Sequence, residues 1–420
     1  MKFDTIAVTG GFHHDEQTGS TNIPIHMSNA FQFKSADSAA NLFDLTEAGY
    51  IYTRMHNPTT TVFEERVAAL EGGTGAVAAA SGQAAELMLF ATLCNAGDEI
   101  LASTRLYGGT MNLLSSTLKR FGINVKLADQ RNPESWDSLI TDKTKAVYAE
   151  SIANPDGSIP DFEAIAAVAH KHKIPFIIDN TMATPYLFRP VEVGANVVLH
   201  SSTKYIGGNG TAMGGVVVDL GNFDWAASGR FPEFTEPDSS YHGVKFAEAF
   251  GSAALAVKMR VQILRDFGGV ISPFNSFLMV TGLQTLSVRM KQHVENARKV
   301  AAFLENHPNV ARVIYPELEN HPDNAQAKRY FKKGAGAMVS FEVKGGYEQA
   351  KRVIESIKLC VHATNVGDAR TVLTHPASTT HRQLSEEKLK AAGISKTFLR
   401  LSVGIEDVED IIDDIAQALA

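Results

Sequence analysis

Between residues 75 and 219, short apolar runs alternate with longer stretches of mixed polarity. The runs are AVAAAS (76–81), EILAS (99–103), NVKLAD (124–129), KAVYAES (145–151), PFIID (175–179), VVLHS (197–201) and GGVVVD (214–219). Each is rich in Val, Ile and Ala, the pattern of strands buried on both faces. The intervening segments carry helix signals. TVFEERVAALEGG reads as an amphipathic helix stopped by glycine, SGQAAELMLFATLCNAGD as a helix starting at Ser81, and LLSSTLKRFG and DFEAIAAVAHKHK as two more. Strands alternating with helices predict an α/β fold whose mostly parallel sheet is covered by helices on both faces. In such sheets ligands lie at the carboxyl ends of the strands. The residues just past each strand are therefore the candidates for chemistry.

The flanks read differently. Residues 1–60 show no repeating period and are expected to form an irregular arm lying on something else. LGNFDWAASGRFPEFTEPDSSYHGVK (220–245) also lacks a period, and a loop this long is often functional. From Phe274 to His307, after a Pro273 start signal, a long helix is expected to join a second unit. There AGAMVSFEV and FLRLSV read as strands among helices, giving a smaller α+β C-terminal domain. The expected organisation is an arm (1–60), a large ligand-binding domain (61–270) and a C-terminal domain (271–420).

Composition narrows the function. The chain has 420 residues, 44% of them hydrophobic, which is enough for a large core without staples. Its two cysteines, Cys94 and Cys360, are no disulfide framework, so a reducing, cytoplasmic setting is expected. A net charge of −7 without a basic run argues against nucleic acid as a partner. No apolar run approaches the roughly 18–20 residues needed to cross a membrane. No spacing of His, Cys and Asp suggests a metal, and the glycine signatures of triphosphate and dinucleotide binding are missing.

Three strand ends carry the candidate chemistry. Asp179 ends PFIID; alone it could cap a helix or turn, but a carboxylate there could also face a cationic heterocycle. Asn154 follows KAVYAES in ANP, a common turn sequence. Lys204 follows VVLHS, with Ser201 and Thr203 just before it. At another strand end, Ser81-Gly82-Gln83 opens a helix whose amides and dipole could seat a phosphate, or which serine merely caps. A lysine for an aldehyde, an aspartate for a ring nitrogen and donors for one phosphate together describe pyridoxal 5′-phosphate.

The order of segments then becomes recognisable. GYIYTRMHNPTT, ASGQAAE, LYGGT, ANPDGSIPD, IIDNTMATPYL, HSSTKYIGGNGT, NVGDARTVLTHPASTTH and LRLSVGIED resemble, over essentially the whole chain, the Cys/Met-metabolism family of pyridoxal-phosphate enzymes. This is the cystathionine γ-synthase and methionine γ-lyase group, and its O-acetylhomoserine sulfhydrylase branch is the most similar. The resemblance implies an aspartate-aminotransferase-like fold (fold type I). It implies Lys204 as the lysine joined to the cofactor, Asp179 on the pyridine nitrogen, and Ser201, Thr203, Gly82 and Gln83 around the phosphate. Tyr107 would stack on the ring and assist the leaving group. Asn154 would contact the ring hydroxyl or the substrate, and Arg400 and Asn365 would bind substrate. Tyr52 and Arg54, on the arm, would reach the phosphate of a neighbouring subunit, in a homotetramer built from dimers.

The implied reaction is γ-replacement on O-acetyl-L-homoserine by sulfide or a thiol, giving homocysteine or methionine and acetate. Alternatives are γ-elimination of the methionine γ-lyase type and cystathionine γ-synthase activity. A scaffold protein without catalysis is disfavoured by the intact Lys204, Asp179, Tyr107 and Arg400. Methionine γ-lyases usually carry cysteine two residues after the stacking tyrosine, where this chain has Gly109. His56 and Asn209 stand where many relatives have Gly and His, without a reason visible in the sequence.

Overall fold

The computed structural model describes residues 1–12, 14–379, 382 and 394–420. Seven strands form the larger sheet: β1 (Gly75–Ala79), β2 (Glu99–Ser103), β3 (Asn124–Ala128), β4 (Thr144–Glu150), β5 (Phe176–Asp179), β6 (Val197–His200) and β7 (Gly215–Asp219). Their order is β1-β7-β6-β5-β4-β2-β3. Pairs β2–β3, β2–β4, β4–β5 and β5–β6 are parallel, whereas β7 runs antiparallel to both β1 and β6. Each expected strand is present within a residue or two of its predicted limits. Alternation along the strands feeds two separate apolar layers. Ala78, Ile178, Val198 and Val216 face one layer with Phe63, Phe162 and Met279. Val77, Ile177, Leu199 and Val217 face the other with Leu89, Leu114 and Leu255.

Several helices depart from the expected pattern. The helix Pro58–Glu71 does stop at Gly72, which adopts φ 82°. It is not amphipathic in place, however, because Glu64, Arg66 and Glu71 are buried with its apolar residues. Glu64 and Arg66 are satisfied internally. Glu64 pairs with Arg260 at 2.8 Å and accepts from the amide of Ala78, while Arg66 donates to the carbonyls of Gly10 and Ala7. The acceptors for Arg66 come from the arm, which begins with a helix, Phe3–Thr9, packed on its own chain. The expected long helix is two, Pro273–Gln284 and Leu286–Glu305, meeting at Thr285. The aperiodic 220–245 segment contains short helical turns and packs Trp225, Phe231 and Phe234 into the second apolar layer.

The C-terminal sheet has five strands: β8 (Val310–Ile314), β9 (Met338–Val343), β10 (Val361–His362), β11 (Val372–Thr374) and β12 (Phe398–Ser402). Their order is β10-β11-β12-β9-β8, with only β10–β11 parallel. Central β12 carries Arg400, whose Cα neighbours are those of Thr374 and Ser340. The last two residues of the NVGDARTVLTHPASTTH segment, Thr380 and His381, lie outside the described residues. No helix among the described residues is long and apolar enough to cross a membrane.

Arg289, in the first turn of the Leu286–Glu305 helix, fastens the chain beyond Lys204. Its guanidinium donates to the carbonyls of Tyr205 and Gly282 at 2.7 Å each, and of Ile206 at 3.3 Å. Gly208 adopts φ +70°, and a Cβ there would lie 2.2 Å from the guanidinium. Arg289→Ala strands buried carbonyls that water cannot reach, at about 1–3 kcal/mol each. A chemical denaturation series is expected to show a loss of about 3 kcal/mol or more; a loss below about 1 kcal/mol would contradict this role.

Candidate active site

A cavity of about 300 Å³ opens at the carboxyl ends of β6, β5, β4 and β2, four neighbours in the sheet. Gly82, Gln83, Tyr107, Asn154, Asp179, Ser201, Thr203, Lys204 and Arg400 all line it. Nine candidates from six chain segments therefore converge on one space. Tyr52 and Arg54 do not line this chain's cavity. Arg54 donates to the Arg265 carbonyl at 2.6 Å and lies 5.3 Å over the Tyr52 ring. Asn365 lies in an adjoining cavity with Thr203, Met213 and Thr364.

The phosphate-seat candidate has a cradle's geometry. The Gly82–Leu93 helix is capped by Ser81, whose hydroxyl accepts from the Ala84 amide at 3.1 Å. The amides of Gly82 and Gln83 belong to the first turn, which has no intrahelical acceptors. A Cβ on Gly82 would lie 2.6 Å from that of Ser201, so glycine lets the helix start touch the lysine loop. The Ser201 hydroxyl has no hydrogen bond among the described residues. That of Thr203 instead donates to the Gly214 carbonyl and accepts from the Gly214 amide, at 3.1 and 3.0 Å.

At the other side, Lys204 Nζ donates to Asn365 Oδ1 at 3.2 Å. Burial, followed by the charge of Arg400, lowers its pKa, favouring the neutral amine. Arg400 is 6% exposed yet has no carboxylate partner among the described residues. It donates to Asn154 Oδ1 at 3.2 Å and the Asn365 carbonyl at 3.4 Å, and its Nε has no partner. A buried guanidinium without an anion suits a carboxylate supplied from outside.

The floor is acidic. Asp179 accepts from the Thr181 amide at 2.9 Å and from the Tyr148 hydroxyl at 3.5 Å. Burial raises its pKa above the ordinary aspartate value. An ionised Asp179 therefore needs a cation, which a protonated ring nitrogen supplies. Two further carboxyls escape the sequence reading. Glu150 accepts from the backbone amides of Tyr107 and Asn154, tying two lining loops together. Burial and then the Asp179 charge raise its pKa strongly. Glu86, four residues into its helix after Gly82, has the spacing of a surface acid but points inward. Orphaned polar atoms, a tight glycine cradle and a lysine opposite an acid all fit pyridoxal 5′-phosphate.

A family model described as "Cys/Met metabolism PLP-dependent enzyme" matches residues 4–420. The chain belongs to that family. Its members use pyridoxal 5′-phosphate, in agreement with the cavity. The homocysteine synthase of Schizosaccharomyces pombe is 49% identical, over 99% of this chain and 98% of the relative. The O-acetyl-L-homoserine sulfhydrylase of Leptospira meyeri is 47% identical, over 100% and 97%. A crystal structure from Campylobacter jejuni, described as an O-acetylhomoserine (thiol)-lyase, superimposes with a TM-score of 0.97 at 40% identity, covering 100% of both chains. It carries an N′-pyridoxyl-lysine-5′-monophosphate residue. The fold of this Cys/Met-metabolism enzyme is thus the expected pyridoxal-phosphate fold.

Proposed function

We propose that the protein catalyses γ-replacement on O-acetyl-L-homoserine, exchanging acetate for sulfide or a thiol to give homocysteine or its thioether. The observation that carries this reading is the buried Arg400, without a carboxylate partner among the described residues, facing the cavity that holds Lys204 and Asp179. It supports an α-amino acid as substrate, and the names of relatives across the whole chain support O-acetylhomoserine in particular.

When bound, the cofactor supplies an aldehyde that captures amines and a cationic ring that accepts electrons. The chain's own groups do the rest. Arg400 and Asn154 hold the substrate carboxylate, fixing Cα near Lys204. The Lys204 amine would take the Cα proton, pass it to the bound cofactor and, freed of it, take one from Cβ as acetate leaves from Cγ. Asp179 keeps the ring nitrogen protonated while negative charge develops. Tyr107 would cover the ring, and the Gly82 and Gln83 amides with Ser201 would hold the phosphate. Sulfide adds at Cγ, and Lys204 would return one proton to Cβ and then carry the other back to Cα.

The test is product analysis on O-acetyl-L-homoserine with and without sulfide. Sulfide-dependent homocysteine and stoichiometric acetate are expected. If 2-oxobutanoate and ammonia form at the same rate with and without sulfide, elimination replaces this reading. Parallel assays with O-succinylhomoserine, and with cysteine in place of sulfide, test the cystathionine γ-synthase alternative.

The active unit is proposed to be a dimer, within a cytoplasmic homotetramer, in which the 1–60 arm completes the neighbour's site. Tyr52 and Arg54 lie outside their own cavity yet form a paired aromatic and cationic group, which supports this arrangement. The 61–270 and 271–420 units would then each face that shared site. Buried free Cys94 and Cys360 support a reducing compartment. Mixing a Tyr52→Phe/Arg54→Ala variant with Lys204→Ala tests the sharing. Each alone is expected to be nearly inactive. After subunit exchange, activity is expected to recover to about one quarter of wild type, because hybrid dimers hold one intact site. No recovery despite proven exchange would place the arm in its own subunit's site.

A further inference from the structure

Glu86 is the least explained group in the cavity. It is 1% exposed, and its Oε2 accepts from Gln83 Nε2 at 2.7 Å and Thr110 Oγ1 at 3.2 Å. Its Oε1 is buried without a partner. The groups around it offer little positive charge. From β5 comes Asp179; from β4, Glu150 and the Tyr148 hydroxyl, which lies between Asp179 and Glu86 and interacts with both; from the loop after β2, Tyr107. His200 lies behind Asp179, held by Glu71 at 2.6 Å. The cations are Lys204 and Arg400, across the cavity, and no salt bridge joins Glu86 to any cation among the described residues. Three carboxyls around one small space, beside a seat for a phosphate, cannot all be charged.

We propose that Glu86 is a positioning residue for the cofactor, a carboxylic acid kept protonated so that Asp179 alone carries negative charge beside the ring nitrogen. Its ionisation loads the site with a second negative charge and loosens the hold on the phosphate. The proposal rests on the pyridoxal-phosphate reading of the cavity. As an acid, Glu86 keeps one oxygen as acceptor for Gln83 and Thr110 and presents an O–H from the other. Burial first, and the Asp179 charge second, push its pKa up to about 8, so the acid form holds through neutral pH. Glutamine is the neutral isostere of this acid, with an N–H in place of the O–H.

The test compares wild type with Glu86→Gln as the visible absorbance of bound cofactor is restored by added pyridoxal 5′-phosphate between pH 7 and pH 9. Ionisation of one group that opposes binding weakens affinity by up to about tenfold per pH unit. The ratio of the half-saturating concentration of wild type to that of Glu86→Gln is expected to rise about tenfold from pH 7 to pH 9. The alkaline limb of kcat/KM is expected to move to higher pH in the variant. Groups shared by both proteins, Lys204 included, cancel in the ratio. A constant ratio overturns the proposal, as does a folded Glu86→Gln protein that takes up cofactor at no pH. Should glutamine fail to fold there, Glu86→Met, equally unable to ionise, carries the same comparison. A constant ratio with normal uptake removes only the role of Glu86. Absence of saturable uptake in wild type removes that role and the pyridoxal-phosphate reading together.

Discussion

Lys204→Ala is expected to lose at least about 10³–10⁴-fold in kcat/KM, since one amine both anchors the cofactor and moves the substrate's protons. The visible absorbance of the joined cofactor should vanish with it. The fold should not change: Nζ makes one hydrogen bond, to Asn365, and the loop is held by Arg289 through backbone carbonyls. Circular dichroism and thermal melting are expected to match wild type in the absence of cofactor. A variant that keeps its absorbance and a rate within tenfold of wild type would place the chemistry elsewhere.

Asp179→Asn separates catalysis from stability. An amide cannot carry the charge that keeps a ring nitrogen protonated, and losing such an electrostatic contribution costs about 3–4 kcal/mol of barrier, or roughly 10²–10³ in kcat. The stability effect runs the other way. The folded-state pKa of Asp179 lies above its unfolded value, because burial penalises the charge. The folded chain therefore binds the proton more tightly than the unfolded one. Stability from this group is complete below the ordinary aspartate pKa and falls as pH rises towards the folded value. Asparagine has no such loss. Without cofactor, Asp179→Asn should melt higher than wild type at neutral pH, and the gap should close in acid. An activity loss below tenfold, or a lower melting temperature across that range, would contradict the assignment.

Much of this site is legible in the sequence because strand ends are legible. Apolar runs of four to seven residues end at Asp179 and His200, and parallel pairing brings β4, β5 and β6 side by side. Lys204, Asp179 and Asn154 then converge without further information. What stays hidden is whatever depends on which way a helix faces. Glu86 and Glu64 look like solvent-side acids within helices, yet both are buried, one in the cavity and one against Arg260. Glu150 passes for the polar end of a strand. Its two backbone donors become visible only when the loops bearing Tyr107 and Asn154 are in place.

His56 is a similar case. Its ring lies 4.9 Å from that of Tyr50, and burial, together with the Arg260 charge, pushes its pKa down to about 3. Its ring packs on Tyr50, and nothing in the structure explains its choice over glycine. Asn209 bonds to the Gly207 carbonyl in its own turn, and nothing in the structure explains its choice over histidine. Gly109 does have a local reason. A Cβ there would lie 2.4 Å from the Tyr107 ring, so any larger residue would shift the ring expected to cover the cofactor.

The central claim is that one lysine, at the end of β6, holds the cofactor. Borohydride reduction of the holoenzyme, followed by proteolysis and mass spectrometry, tests it most directly, because reduction fixes the cofactor to whichever amine it has joined. The account predicts a single phosphopyridoxyl modification, on the peptide containing Lys204. Stoichiometric modification of any other lysine, with Lys204 unmodified, would contradict it.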